Sequence, residues 1–284
     1  MPRRVAALCF NAGMANALTH TLPATLQQAR KARRISQLEL SLRVGVSQRH
    51  VSFVESGRAK PSRDLLLVWL RELETPLALS NVALQQAGYA PAYGSAALDD
   101  AALAPAVRAL QGLLDAHHPM PAFVLDAGWN LVNLNAGARW LAAVLMPSLA
   151  ALPPGTPVNM LDALAHPEGM TRSMRNLAEV GPALLAHLRD DASVQPGLTP
   201  RVEAFAALLR DRLGAAHIHH GGSRPVSPVL TTRFATPHGE LAFFSMFTTF
   251  GTPQDITLAS LRVEHLFAAD AATAQVLKQK VPSP

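Results

Sequence analysis

The triplet Gly45-Val46-Ser47 constrains this chain more tightly than any other three residues. Ahead of it, Ser36 and Glu39 stand three apart. At that spacing a serine oxygen accepts one orphan N–H of a helix start and the glutamate returns to another. Leu38, Ser41 and Leu42 follow at helical spacing. Gly45 offers the positive φ that ends such a helix, Val46 points inward, and Ser47 caps a second helix. Two short helices must therefore meet at a tight corner.

The flanking sequence predicts more helices around that corner. Leu22–Arg34 carries Pro23 near its start, where a missing N–H costs nothing. Leu26 and Ala29 share one face, with Arg30 and Arg33 beside it. Beyond the corner, Val51 and Val54 form an inner stripe and Gly57 closes the helix. Pro61-Ser62 opens a fourth helix rich in Leu65, Leu66, Val68, Trp69 and Leu70, and Leu77–Ala87 reads as a fifth, ending before Gly88. The expectation is an all-α five-helix domain over 22–93, after an extended or disordered segment 1–21 in which Met14 is an alternative start to Met1.

Charge gathers in the same region. Residues 23–63 hold nine basic side chains against two acidic ones, a surplus larger than the net +5 of the whole chain. A polyanion partner and a merely solvated basic face explain that surplus equally well. The placement of particular residues decides between them. Two helices about Gly45–Val46 have helix-turn-helix geometry, in which the second helix enters the major groove with its first residues at base edges. Gln48 matches adenine with a bidentate amide, Arg49 forks onto guanine, and Ser52 is a small adaptable donor or acceptor. Gln37, at the preceding helix start, is placed for a backbone phosphate. Arg58, Lys60 and Arg63 follow the reading helix and are expected along the phosphates, supplying affinity rather than sequence choice.

The string Ser36-Gln37, Gly45-Val46-Ser47, Val51-Ser52, Glu55-Ser56-Gly57 and Pro61 resembles the XRE (lambda-repressor-like) helix-turn-helix family over residues 22–88. The resemblance implies operator binding as a homodimer. It also implies that Glu55 pairs with an arginine of the first helix, here Arg30. The family often has alanine where Ser41 stands and glycine where Arg34 stands.

A small-residue stretch, 94–104, reads as a linker to a second domain over 105–280. There Pro105–His117 is helical, Ala122–Asp126 and Trp129–Leu134 are strands about an Ala127-Gly128 turn, and Ala136–Met146 and Leu161–Ala165 are helices. Thr171–Asp190 is helical with a kink or restart expected at Gly181-Pro182, and Arg201–Leu213 is helical. His217–Pro228 is loop. Strands follow at Val229–Ala235, Leu241–Phe250 and Ile256–Phe267, and a helix from Ala269 to Lys278 closes the chain. Phe243, Phe244, Phe247 and Phe250 crowd what reads as the central strand and make both its faces apolar. Ordinary core explains one face; the other needs a second layer, a subunit or an apolar ligand.

Pro121–Asp126, Trp129–Val132, Asn135, Phe243–Ser245, Thr248–Pro253 and Leu261–Glu264 resemble the MmyB-like ligand-binding domain, which is PAS-like and of α+β class. With both blocks in order, the resemblance implies a transcription regulator with an internal apolar pocket for a fatty-acid-like small molecule. Candidate pocket residues are Phe243, Phe244, Phe247 and Trp129. Where a tryptophan is common in the family's central helix, this chain has Leu177.

Enzymatic motifs are missing: no GxSxG, GxGxxG, phosphate loop or HExxH occurs, so neither an enzyme nor a cofactor is expected. His217-Ile218-His219-His220 is a dense imidazole run that reads as solvated loop rather than a metal site. Asp190-Asp191 reads as a solvated helix end, and Arg172, Arg175 and Arg233 as surface salt-bridge partners rather than ligand anchors. The uncharged stretch Trp140–Leu161 contains four prolines, so it does not cross a membrane as one helix. One cysteine, Cys9, excludes a disulfide framework and fits a reducing, cytoplasmic setting. The combined expectation is a cytoplasmic, homodimeric operator-binding regulator that responds to an apolar ligand. The alternatives are a helix-turn-helix protein-interaction adaptor and an enzyme with a regulatory DNA-binding module.

Overall fold

The computed structural model describes residues 21–153, 155–214 and 229–283. They form two compact units: residues 21–96 with Thr252–Ala259, and residues 97–251 with 260–283.

The first unit contains the five expected helices: α1 (Leu22–Ala32), α2 (Gln37–Val44), α3 (Gln48–Glu55), α4 (Arg63–Glu72) and α5 (Leu77–Gln86). The serine caps fall where the sequence places them, but the Glu39 carboxylate pairs with Arg43 instead of returning to the helix start. Ser36 accepts from the Glu39 N–H and Ser47 from the His50 N–H, while Gly45 takes φ 73° between them. Arg34 also adopts positive φ, 55°, which accounts for the glycine common at that place in the resembling family. Leu26, Leu40, Val51, Val54, Leu66 and Trp69 close one core. One expectation is corrected here. Leu38 and Leu42 are exposed, because α2 turns its Gln37-Leu40-Ser41-Val44 side inward and Leu38 and Leu42 share the other face. In this unit Asp255 caps a short turn, accepting from the N–H groups of Ala96 and Thr257.

The second unit is α+β. A short 3-10 turn (Ala101–Leu103) leads into α6 (Ala104–Ala116). Then come β1 (Ala122–Leu125), β2 (Leu131–Leu134), α7 (Ala136–Leu145), α8 (Pro147–Ala150) and α9 (Met160–Ala165). α10 (Leu177–Val194), α11 (Thr199–Leu213), β3 (Thr232–Thr236), β4 (Gly239–Thr249), β5 (Arg262–Ala268) and α13 (Ala271–Lys280) complete it, while α12 (Ile256–Ser260), between β4 and β5 in the chain, belongs to the first unit as far as Ala259. The five strands form an antiparallel sheet in the order β2-β1-β5-β4-β3. The phenylalanine-rich strand β4 is therefore next to the centre, and β5 is central.

Asn135 pins the entry to α7. Its carbonyl oxygen accepts from Ala122 and Ala138 N–H groups, and its amide donates to the Leu114 and Met120 carbonyls. With all four capacities used, a buried asparagine is stable where an unpartnered one would be costly.

Three further expectations change. The helix through Gly181-Pro182 is continuous from Leu177 to Val194. Pro182 lies in its second turn and forfeits a single backbone bond, and Gly181 leaves space for Leu209 of α11. The interruption comes earlier, where Met174 bridges to Phe234. Ile256–Phe267 divides into α12 and β5 instead of running as one strand. Trp129 leaves β2 altogether: its φ of 62° turns the chain so that the indole is buried.

Candidate functional site

The corner motif presents one helix face outward. In α3 the inward stripe is Val51, Val54 and Glu55, all buried, while Gln48 and Arg49 are exposed in the first turn and Ser52 is half-buried beside them. Four residues behind Arg49 stands Phe53, which sequence reasoning passed over. Its ring lies 5.1 Å from the Arg49 guanidinium carbon and 5.8 Å from that of Arg58. One aromatic ring thus stands beside two cations. Lys60 sits 4.8 Å from the ring centre of Tyr89, whose hydroxyl donates to the Pro61 carbonyl. Arg63 is exposed at the start of α4. Gln48, Arg49, Arg58, Lys60 and Arg63 are thus all solvent-facing.

Below this surface an ion pair locks the helices. Arg30 of α1 donates Nε and Nη2 to the two carboxylate oxygens of Glu55 at 2.7 and 2.8 Å, and Nη1 to the Ile35 carbonyl at 2.7 Å. Hydrogen bonding to Glu55 raises the Arg30 pKa above its ordinary value, against the opposing effect of burial. The pairing implied by the resemblance is therefore present. Gln37 joins it, its amide donating to Glu55 at 2.8 Å. The Gln37 side chain is engaged inside the protein, and what it retains toward solvent is its place at the start of α2.

In the second unit the candidate pocket residues divide between two sheet faces. Phe243 and Phe247 lie on one face with Arg262 and Glu264, since Phe247 pairs with Glu264 and Thr249 with Arg262. Phe243 is fully buried in a core with Phe234 and Leu241. Phe244 points to the opposite face and stacks on Phe267 at 5.3 Å, because alternate strand residues point opposite ways. It is set apart from the other three.

Trp129 is drawn into a polar cluster that no local signal announced. Its indole N–H donates to Asp191 at 2.9 Å, and Arg262 donates Nη1 to the same oxygen at 3.0 Å. Asp191 is thus not the solvated helix end that its acidic neighbourhood suggests. The Arg262 guanidinium carbon lies 4.0 Å from the centre of Trp129 and 5.4 Å from that of Phe247. His187 of α10 borders both rings. Burial pushes the Glu264 carboxyl up to about 7, opposed by a hydrogen bond with Ser245 and the charge of Arg262. On the other face, His265 is held below its ordinary pKa by burial and by His117. A recess of about 130 Å³ on that side is lined by Leu110, Leu113, Phe250 and Val263. That is small beside the roughly 300–1,000 Å³ of a typical ligand site.

Two of the three exposed arginines behave as expected, Arg172 pairing with Glu168 and Arg233 with Glu240, while Arg175 makes no ion pair among the described residues. The histidine run 217–220 lies outside the described residues. Among the described residues, no group of three His, Cys, Asp or Glu could hold a metal, and no helix is long and apolar enough to cross a membrane.

Comparison with known families agrees with the geometry. The profile described as "Helix-turn-helix" matches residues 26–79. That described as "MmyB-like transcription regulator ligand binding domain" matches residues 106–279, more than half of the chain. The chain belongs to the MmyB-like transcription regulators. It is a DNA-binding transcription regulator with a ligand-binding domain. No curated protein matches the chain. For an MmyB-like regulator, the cationic surface of α3 and the aromatic cluster at Trp129 are the two places where the chemistry concentrates.

Proposed function

We propose that the protein binds an operator as a homodimer, reading bases with Gln48, Arg49 and Ser52, and that a fatty-acid-like ligand in the C-terminal domain sets its affinity for that operator. Gln37, through the N-terminus of α2, together with Arg58, Lys60 and Arg63, holds the phosphates. The observation that carries this reading is the division of α3, whose rear is buried and whose first turn offers an amide and a guanidinium to solvent. Those are the side chains that match adenine and guanine edges. A two-fold dimer would set two such helices about 34 Å apart, so a ligand that favours one arrangement changes the fit of both.

The test is binding to an operator selected from random DNA. Arg49→Ala loses about 1–3 kcal/mol at that operator and relaxes one position, while Lys60→Ala weakens all sequences and lowers the salt slope by about 1. An Arg49→Ala variant with an unchanged ratio of specific to non-specific binding would remove the base-reading assignment. Operator affinity unmoved by saturating dodecanoate would remove the ligand switch and leave the DNA reader.

A further inference from the structure

α6 turns only one side to the sheet. Leu114 is buried there, as is Leu103 just ahead of the helix, and Val107 and Leu110 share their stripe. Residues three, four and seven apart form the opposite side, which on α6 consists of Pro105, Arg108, Ala109, Gly112, Asp115 and Ala116. All six are exposed. A surface helix normally has a polar outer side. Here one base and one acid are the whole polar complement of that side, and Leu113 on its flank is 39% exposed. The apolar surface continues onto β4. Met246, 53% exposed, stands opposite His265, whose ring meets His117 at the end of α6. The recess lined by Leu110, Leu113, Phe250 and Val263 lies between the helix and the sheet.

Two observations say what covers this side. Gly112 stands in the helix interior, where glycine is less stable than alanine. A Cβ on it would meet no atom within 4 Å, so no close approach within the described chain requires a glycine there. An exposed glycine on a helix admits the backbone of another molecule. The second observation is charge. Arg108 has Ala104, Pro105, Gln111 and Gly112 at three and four residues' distance, none of them acidic. It forms no ion pair among the described residues. Asp115 accepts from the neutral Gln111 amide at 2.8 Å, which leaves its charge uncompensated. Arg108 and Asp115 lie on either side of Gly112 along the helix. Two such helices crossing antiparallel at Gly112 set Arg108 of each against Asp115 of the other. The patch is thus complementary to itself, as a two-fold contact requires.

We propose that the outer side of α6 is the contact with a second copy of this chain, with the two helices crossing at Gly112 and two reciprocal Arg108–Asp115 pairs fixing their antiparallel direction. The proposal rests on the reading of the protein as a homodimer and names the surface that makes it one. The pairs set direction and register, and the apolar flank through Leu113 and Met246 supplies the area removed from water.

Sedimentation equilibrium of the full-length protein tests this. Arg108→Asp faces acid with acid at both ends of the crossing and should raise the dimer Kd about tenfold or more. The exchange Arg108→Asp with Asp115→Arg restores opposite charges and should bring the Kd back near that of wild type, a rescue that a merely structural role for either residue would not give. Gly112→Leu fits the open space of a single chain and blocks the crossing, so it should also weaken association while the helix content seen by circular dichroism is kept. An Arg108→Asp or Gly112→Leu variant that dimerises as tightly as wild type overturns the assignment, as does an exchange variant no tighter than Arg108→Asp alone; either leaves the homodimer reading in place. A wild type that sediments as a monomer at every concentration removes both.

Discussion

Replacing Arg30 with methionine keeps most of the packed volume of the side chain and deletes its charge. Glu55, with its side chain 1% exposed, would then face a core without its guanidinium, retaining only the Gln37 amide. Removing one partner of a buried pair typically costs about 3–5 kcal/mol, and the surviving Gln37 bond places this case near 3 kcal/mol. A domain of this size holds on the order of 4–11 kcal/mol in total. Arg30→Met therefore removes about a quarter or more of the stability of the helical unit and loosens the joint between α1 and α3. Hydrogen exchange followed by mass spectrometry reads this locally in the full chain. Protection of peptides within α1 to α3 should fall about 150-fold, since every 1.4 kcal/mol is a factor of ten. The double variant Arg30→Met with Glu55→Met should recover most of that protection, because no unpartnered charge remains. A single-variant change below about fivefold would refute the reasoning, showing that the helices are held by their apolar contacts alone.

Glu264 predicts a pH dependence. Its folded pKa of about 7 lies above the ordinary 4.5, so its contribution to stability is fully present below pH 4.5 and lost as pH rises through about 7. The full gap is worth about 3 kcal/mol, and partial exposure of the residue reduces this to about 2 kcal/mol. Urea unfolding at pH 5 and 8.5 should show Glu264→Gln more stable than wild type only at the higher pH. Asn135→Ala leaves two carbonyls and two N–H groups without their partner and should cost about 3 kcal/mol, a drop in Tm on the order of 6–12 °C by calorimetry. Gly137→Ala should be at least as damaging, because a Cβ there would stand 2.4 Å from the Pro119 carbonyl oxygen. An unchanged Tm would show that the chain at Pro119 yields freely.

Local signals carried the first unit into view. Ser36, Gly45 and Ser47 act on backbone groups within three or four residues of themselves, so their meaning is legible without knowing the fold. Leu38 and Leu42 misled because two stripes of α2 both have helical spacing, and only packing against the other helices selects one. Phe53 drew no notice in the sequence, because its place beside Arg49 and Arg58 shows only once the helix and the turn after it are folded. The second unit was legible as elements and illegible as a site. Asp191 meets Trp129 across 62 positions and Arg262 across 71, and no periodicity reports partners so distant. The alternation of β4 did separate Phe244 from Phe247, but not which face would carry charge.

The shared ring of Phe53 ties together two traits that a regulator could otherwise adjust one at a time. Under the proposed reading, Arg49 chooses the base and Arg58 grips the backbone, and both guanidiniums lean on that phenylalanine. A lineage that exchanged it for a smaller side chain would shift operator preference and salt tolerance in a single step, so the two should be inherited as one character.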